Sequence, residues 1–161
     1  MTKTRKIFAD LVDNKVIDAR YLIGCSPEEI SLIERQCKTL LPLEYLDFLN
    51  IAGRGAGRLF AGTEIFFPGI LSLSDAAAEL LEELGIPDFL PKDAFVFSMH
   101  QGYEIEYFKA HEMDDPEVFQ LFENSSGYGT YTWKSFSHFL TAEIENHLKH
   151  FPNLNLNWVA D

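Results

Sequence analysis

Histidines and carboxylates gather on or beside one short hairpin-like stretch, where His100, Glu104, Glu106 and His111 stand close in sequence. Imidazole beside carboxylate is the pairing that acid–base catalysis and metal binding both use. No ligand spacing of the HExxH or CxxC kind accompanies it. His147 and His150 stand three apart on a helical stretch and could ligate a metal, although histidines in the last turn of a helix also complement its dipole. Cys25 precedes a helix start, a position that can lower a thiol's pKa, yet the sequence identifies no base for it. Ser125 and Ser126 are turn residues, and no Gly-x-Ser-x-Gly occurs. The segment Gly53-Arg54-Gly55-Ala56-Gly57-Arg58 invites a phosphate. It follows a helix instead of a strand, however, and matches neither nucleotide-binding fingerprint. On this reading the chain has no catalytic residue, no metal site and no cofactor.

The stretch FVFSMHQGYEIEYF, residues 95–108, reads as two strands around a polar turn. A three-residue loop, His100-Gln101-Gly102, would put Phe95, Phe97 and Met99 on one face with Tyr103, Ile105 and Tyr107. Ser98, Glu104 and Glu106 then fall on the other face, with only Val96 out of character. A two-residue loop would set both glutamates beside Phe97 and Met99, at the cost of desolvating two carboxylates. The expectation is one core face and one wet, acidic face, with Gly102 in the left-handed position of the turn.

The other elements follow from period and punctuation. Residues 3–13 pair apolar positions at helical spacing, and 16–23 read as extended. Ser26-Pro27-Glu28-Glu29 predicts a capped helix with Ile30, Ile33 and Cys37 buried. Leu41-Pro42 opens another helix with Leu43, Leu46, Leu49 and Ala52 inward, widened by Tyr45 and Phe48. Residues 63–73 are β-prone but interrupted by Pro68, and Ser74 caps a helix that Gly85 ends. Two more strands, 118–122 and 130–133, flank the turn Asn124-Ser125-Ser126-Gly127. Ser135 then caps a long closing helix whose stripe runs from Phe136 to Phe151. Helices, strands, then a helix imply an α+β fold, with a mainly antiparallel sheet of about four to six strands and helices packed at both ends.

The 161 residues are read as one domain, 1–161, with a core of about 26–150 and a tail, 151–161, that docks through Leu154, Leu156 and Trp158. No apolar run is long enough for a membrane span, and the N-terminus does not read as a secretory signal. Free buried thiols at Cys25 and Cys37 and a cytoplasmic location are therefore expected. Charge is the strongest compositional signal, at −12 overall. Residues 1–59 carry nine Lys and Arg against eight Asp and Glu, whereas residues 60–161 carry four against seventeen. Such a surface repels nucleic acid and anionic membranes and favours a cationic partner.

Leu41-Pro42-Leu43-Glu44-Tyr45-Leu46-Asp47-Phe48-Leu49, followed by a glycine-rich loop, resembles the Leu-Pro…Tyr…Phe-Leu…Asn-Gly-Gly signature of the SUKH superfamily. Asn-Gly-Gly is replaced here by Asn50-Ile51-Ala52-Gly53-Arg54-Gly55, with an insertion. The aromatic strand pair, then Asp115-Pro116-Glu117-Val118-Phe119, then Ser135-Phe136-Ser137-His138-Phe139-Leu140, are similar to its later pattern. That superfamily groups a yeast regulator of cell-wall synthesis with many bacterial immunity proteins. The resemblance implies non-enzymatic binding: neutralising a cognate toxin, often a nuclease or deaminase, by direct contact. The alternative it implies is a regulatory scaffold in cell-wall synthesis or stress signalling.

Three acidic surfaces are candidates for contact with a basic protein partner. They are the hairpin face with Ser98, Glu104 and Glu106, the loop with Glu112, Asp114, Asp115 and Glu117, and the helix face with Asp75, Glu79, Glu82 and Glu83. Tyr103, Tyr128 and Tyr131 are candidate anchors, although the face pattern puts Tyr103 in the core.

Overall fold

The computed structural model describes residues 1–38, 40–110, 114–150 and 156. Two helices begin the architecture and hold each other at their ends. In α1 (Lys3–Asp13) the first turn has N–H groups with no helical acceptor. Glu44 of α3 (Leu43–Ala52) takes two of them, from Lys3 at 3.1 Å and Thr4 at 2.7 Å. Asp47 accepts from the Thr2 hydroxyl at 2.6 Å and from Arg5 at 2.7 Å. Both carboxylates are therefore buried, and α3 is rotated from the expected stripe. Tyr45, Phe48, Leu49 and Ala52 face inward, while Leu43 is 44% exposed.

Between them, α2 (Pro27–Cys37) starts with the expected capping box: Ser26 and Glu29 each bond the other's backbone N–H. Residues 16–23 are not a long strand. They hold a 3₁₀ turn, then β1 (Leu22–Ile23), which pairs with β2 (Gly55–Ala56). The glycine-rich segment thus serves the fold. Arg54 pairs with Glu29 at 2.7 Å and lies over the Phe67 ring, and Gly57, at φ +58°, leaves room for the Leu156 carbonyl where a Cβ would collide.

The main sheet is antiparallel in the order β3 (Thr63–Glu64), β4 (Ala94–His100), β5 (Glu104–Lys109), β6 (Val118–Asn124), β7 (Gly127–Trp133). Pairing of Thr63 with His100 keeps His100 in the strand, so the three-residue loop is Gln101-Gly102-Tyr103, one position later than expected. Tyr103 consequently sits in the turn and is exposed. A bulge between Val96 and Ser98 shifts the register from Ser98↔Glu106 to Val96↔Tyr107 and Phe95↔Phe108. It brings Phe95, Phe97 and Phe108 together around Tyr45, which also meets Phe136 of α5 (Phe136–His150) edge-on. Tyr107 leaves that cluster and stacks on Phe119.

Each face of the sheet carries a helix. α4 (Leu73–Glu83) packs on β4, with Leu73 and Ala76 beside Met99. It begins after Ser72, two residues before the expected cap. On the other face α5 lies across the strands, with Phe139 against Phe97 and Trp133. That helix removes the hairpin's acidic face from bulk water: Ser98 is 1% exposed and Glu106 3%.

Candidate functional site

Alternate residues of a strand share a face, so the pairs Ser98↔Glu106, His100↔Glu104 and Glu106↔Gln120 align five polar side chains on the α5 side of the sheet. Along α5, Phe139, Glu143, His147 and His150 recur at helical spacing and face them. Between strands and helix lies a cavity of about 590 Å³, closed at one side by Phe60, Ala61 and Thr63. Ser98, Glu106 and Phe139 form its buried floor; Gln101, Tyr103 and His150 stand exposed at its rim.

Glu106 dominates the electrostatics. Its Oε1 accepts from Gln120 Nε2 at 3.0 Å, while Oε2 and the Ser98 hydroxyl have no hydrogen-bond partner among the described residues. Burial pushes its carboxyl up to about 8, opposed by the Ser98 and Gln120 dipoles and reinforced by the Glu104 carboxylate. Glu143 is raised by burial and then by Glu104, and burial lowers His147. His100 shares a hydrogen bond between its Nδ1 and Thr63 Oγ1 at 2.9 Å. No Lys or Arg among the described residues lines the cavity. The site thus gathers three carboxyls, Glu104, Glu106 and Glu143, with burial raising Glu106 and Glu143 and no described cation opposite them.

The family model of the SMI1/KNR4 family (SUKH-1) matches residues 24–142. The chain belongs to this family. Comparison with curated proteins finds no match. The strand side of the cavity falls within the span matched to SUKH-1, and Glu143, His147 and His150 follow it.

The three acidic surfaces differ in kind. On the hairpin, Ser98 and Glu106 are buried and Glu104 half-buried at the cavity, so the face is a cleft wall where a wet surface was expected. In the second group, Glu112 lies outside the described residues, as does His111, and Asp114 and Glu117 are exposed. Asp115 is engaged internally: its Oδ1 accepts from Ser137 N at 2.9 Å and its Oδ2 from the Ser137 hydroxyl at 2.7 Å and from Lys3 at 3.0 Å. On α4, Asp75, Glu79, Glu82 and Glu83 are exposed opposite Leu73, Ala77, Leu80 and Leu81. None of the four makes an ion pair among the described residues. Because α4 packs on the side of Met99 and the cavity on the side of Ser98, these two acidic regions occupy opposite faces of the sheet.

Elsewhere the chemistry is quiet. Cys25 is a free, buried thiol, as expected, and it is pushed up to about 11, chiefly by burial and then by Glu29 against Arg54. No group of three or more His, Cys, Asp or Glu among the described residues is arranged to hold a metal ion. No helix among them is long and apolar enough to cross a membrane. Of the cavity residues, Gln120 and Glu143 are not singled out by the sequence, and His147 stands there only as a possible metal ligand with His150. The available signal was the stripe of α5, which turns from Phe136 and Phe139 to Glu143 and His147 on one helix face.

Proposed function

We propose that this chain is a non-catalytic binding protein of the immunity type, which engages and neutralises a basic nuclease- or deaminase-type toxin domain. The observation that carries the reading is the placement of charge. The acidic excess falls in residues 60–161, and its carboxylates at Asp75, Glu79, Glu82, Glu83, Asp114 and Glu117 are exposed. By contrast, Glu29, Glu44, Asp47 and Asp115 are engaged by internal hydrogen bonds or ion pairs. A field of that sign speeds encounter with a cationic partner, and exposed aromatic groups set how long it stays. Tyr103, Tyr128 and Tyr131, each more than a third exposed, can anchor such a contact. Tyr103 has the further advantage of standing at the rim of the acidic cavity.

A tagged pull-down from native lysate at low salt, read by mass spectrometry, tests the reading. The expected result is retention of one basic protein carrying a nuclease or deaminase domain, released as salt is raised. Retention of cell-wall-synthesis or signalling proteins, indifferent to salt, would replace it with the regulatory role.

A further inference from the structure

A buried polar atom without a well-formed hydrogen bond calls for an explanation. Glu106 Oε2 and the Ser98 hydroxyl face each other across paired strands, with no well-formed hydrogen bond to any described residue, and both residues line the cavity under α5. We propose that this cavity is a socket for one cationic side chain of the protein partner, an arginine guanidinium, with Glu106 as the counter-charge on its floor. The proposal rests on the binding reading above and adds the group that is recognised.

The sign of the occupant follows from the walls. Glu104, Glu106 and Glu143 face the space, and no described Lys or Arg does. Burial lowers the His147 pKa, and the Nδ1 atoms of His100 and His150 are engaged by Thr63 and by the Asn146 carbonyl. An anion would meet three carboxyls. A cation in the cavity is balanced by those three carboxyls, at a site where a charge-assisted hydrogen bond is strong. Guanidinium fits better than ammonium because its planar fork carries five donors, sheds water readily and stacks on aromatic faces. Phe139 at the floor and Tyr103 at the rim offer such rings. The volume, about 590 Å³, lies in the range of roughly 300–1,000 Å³ typical of ligand-holding cavities.

Entry of the cation has a proton cost. In the chain alone Glu106 keeps its proton to about pH 8, and an adjacent positive charge favours the ionised form. Binding therefore releases that proton to solvent, and it tightens as pH rises toward 8. Glu104 from β5, Glu143, His147 and His150 from α5, His100 from β4 and Tyr103 from the turn face the same space. All of these groups stay in place in a variant of Glu106, so that variant isolates its part.

The test is an NMR titration of the full chain with N-acetyl-L-arginine amide, using N-acetyl-L-citrulline amide as the neutral isostere, at pH 6.5 and 8.5. The arginine compound is expected to move the Ser98, Glu106 and His147 amide resonances, binding about ten-fold tighter at the higher pH. The citrulline compound is expected to move none. Glu106→Gln is expected to lose about ten-fold in affinity and most of the pH dependence, with resonances away from the cavity unchanged. Should that variant unfold, Glu104→Gln and Ser98→Ala carry the test, each with a several-fold loss. Equal shifts from the two compounds, or undiminished arginine binding by these variants, would overturn the socket. The probe needs no partner, so the two readings fail separately. A basic protein bound equally well by wild type and Glu106→Gln sinks the socket alone. Arginine held in the cavity by a chain that retains no basic protein from lysate sinks the immunity reading alone.

Discussion

At the scale of single residues, burial of Glu106 couples stability to pH. Its folded-state pKa of about 8 lies above the ordinary 4.5, so between those values the folded chain binds more protons than the unfolded one. That contribution to stability is therefore full below pH 4.5 and is lost as pH rises from there through 8. Glu143, also raised, adds with the same sign. Urea melts at pH 5.5 and 8.5 should show wild type losing on the order of a few kcal/mol at the higher pH, and Glu106→Gln much less. Equal losses in the two proteins would mean that Glu106 is not the group responsible. Asp115 works in the opposite sense. Burial alone would raise it, but the Ser137 amide and hydroxyl and Lys3 outweigh burial and hold the carboxyl below its usual range. Its contribution is present above the unfolded pKa near 3.8 and is lost as pH falls through the lower folded value. Asp115→Ala should cost about 2 kcal/mol at pH 7, because two hydrogen bonds at the start of α5 go with it. Loss of partner binding in that variant would then need a folded control before it counted as contact. Tyr45, fully buried with an unpartnered hydroxyl, gives the converse case. Tyr45→Phe is expected to be neutral or up to about 1 kcal/mol more stable, and a clear loss in thermal or urea melts would reveal a hidden partner.

Among elements, what was legible was local. The Ser26–Glu29 capping box joins residues three apart, and the β6–β7 hairpin is written in its own turn, Asn124 pairing with Gly127. The α3 rotation was not legible, because it depends on Glu44 and Asp47 meeting the first turn of α1, about 40 residues away in sequence. The hairpin was half legible. Strand alternation brought Ser98, Glu104 and Glu106 together, but nothing in the hairpin says that α5 will cover them. The bulge at Phe97 had one trace, the misplaced Val96, which the register shift sets opposite Tyr107. Because α4 and the cavity lie on opposite faces of the sheet, the acidic surfaces can be told apart by rate constants. Reversing Glu79, Glu82 and Glu83 to Lys should slow association with the basic partner a few-fold, through the field alone, and leave dissociation unchanged. Glu104→Lys should slow association and speed dissociation together. The reverse pattern would make α4 the contact surface.

For the whole molecule, function and charge distribution are one question. Lys3, Arg5, Lys6, Arg20 and Arg54 are held in ion pairs, and the C-terminal two thirds present a carboxylate excess to solvent. At low ionic strength such a surface acts over more than 10 Å, and at physiological salt over about 8 Å. Its reach is thus a measurable property of binding. The most direct test is the association rate between this chain and the basic protein expected from the pull-down, followed by stopped flow from low to high salt. The rate is expected to fall steeply, by ten-fold or more, while dissociation changes little. A rate indifferent to salt would contradict that expectation, because recognition would then owe nothing to the acidic two thirds of the chain.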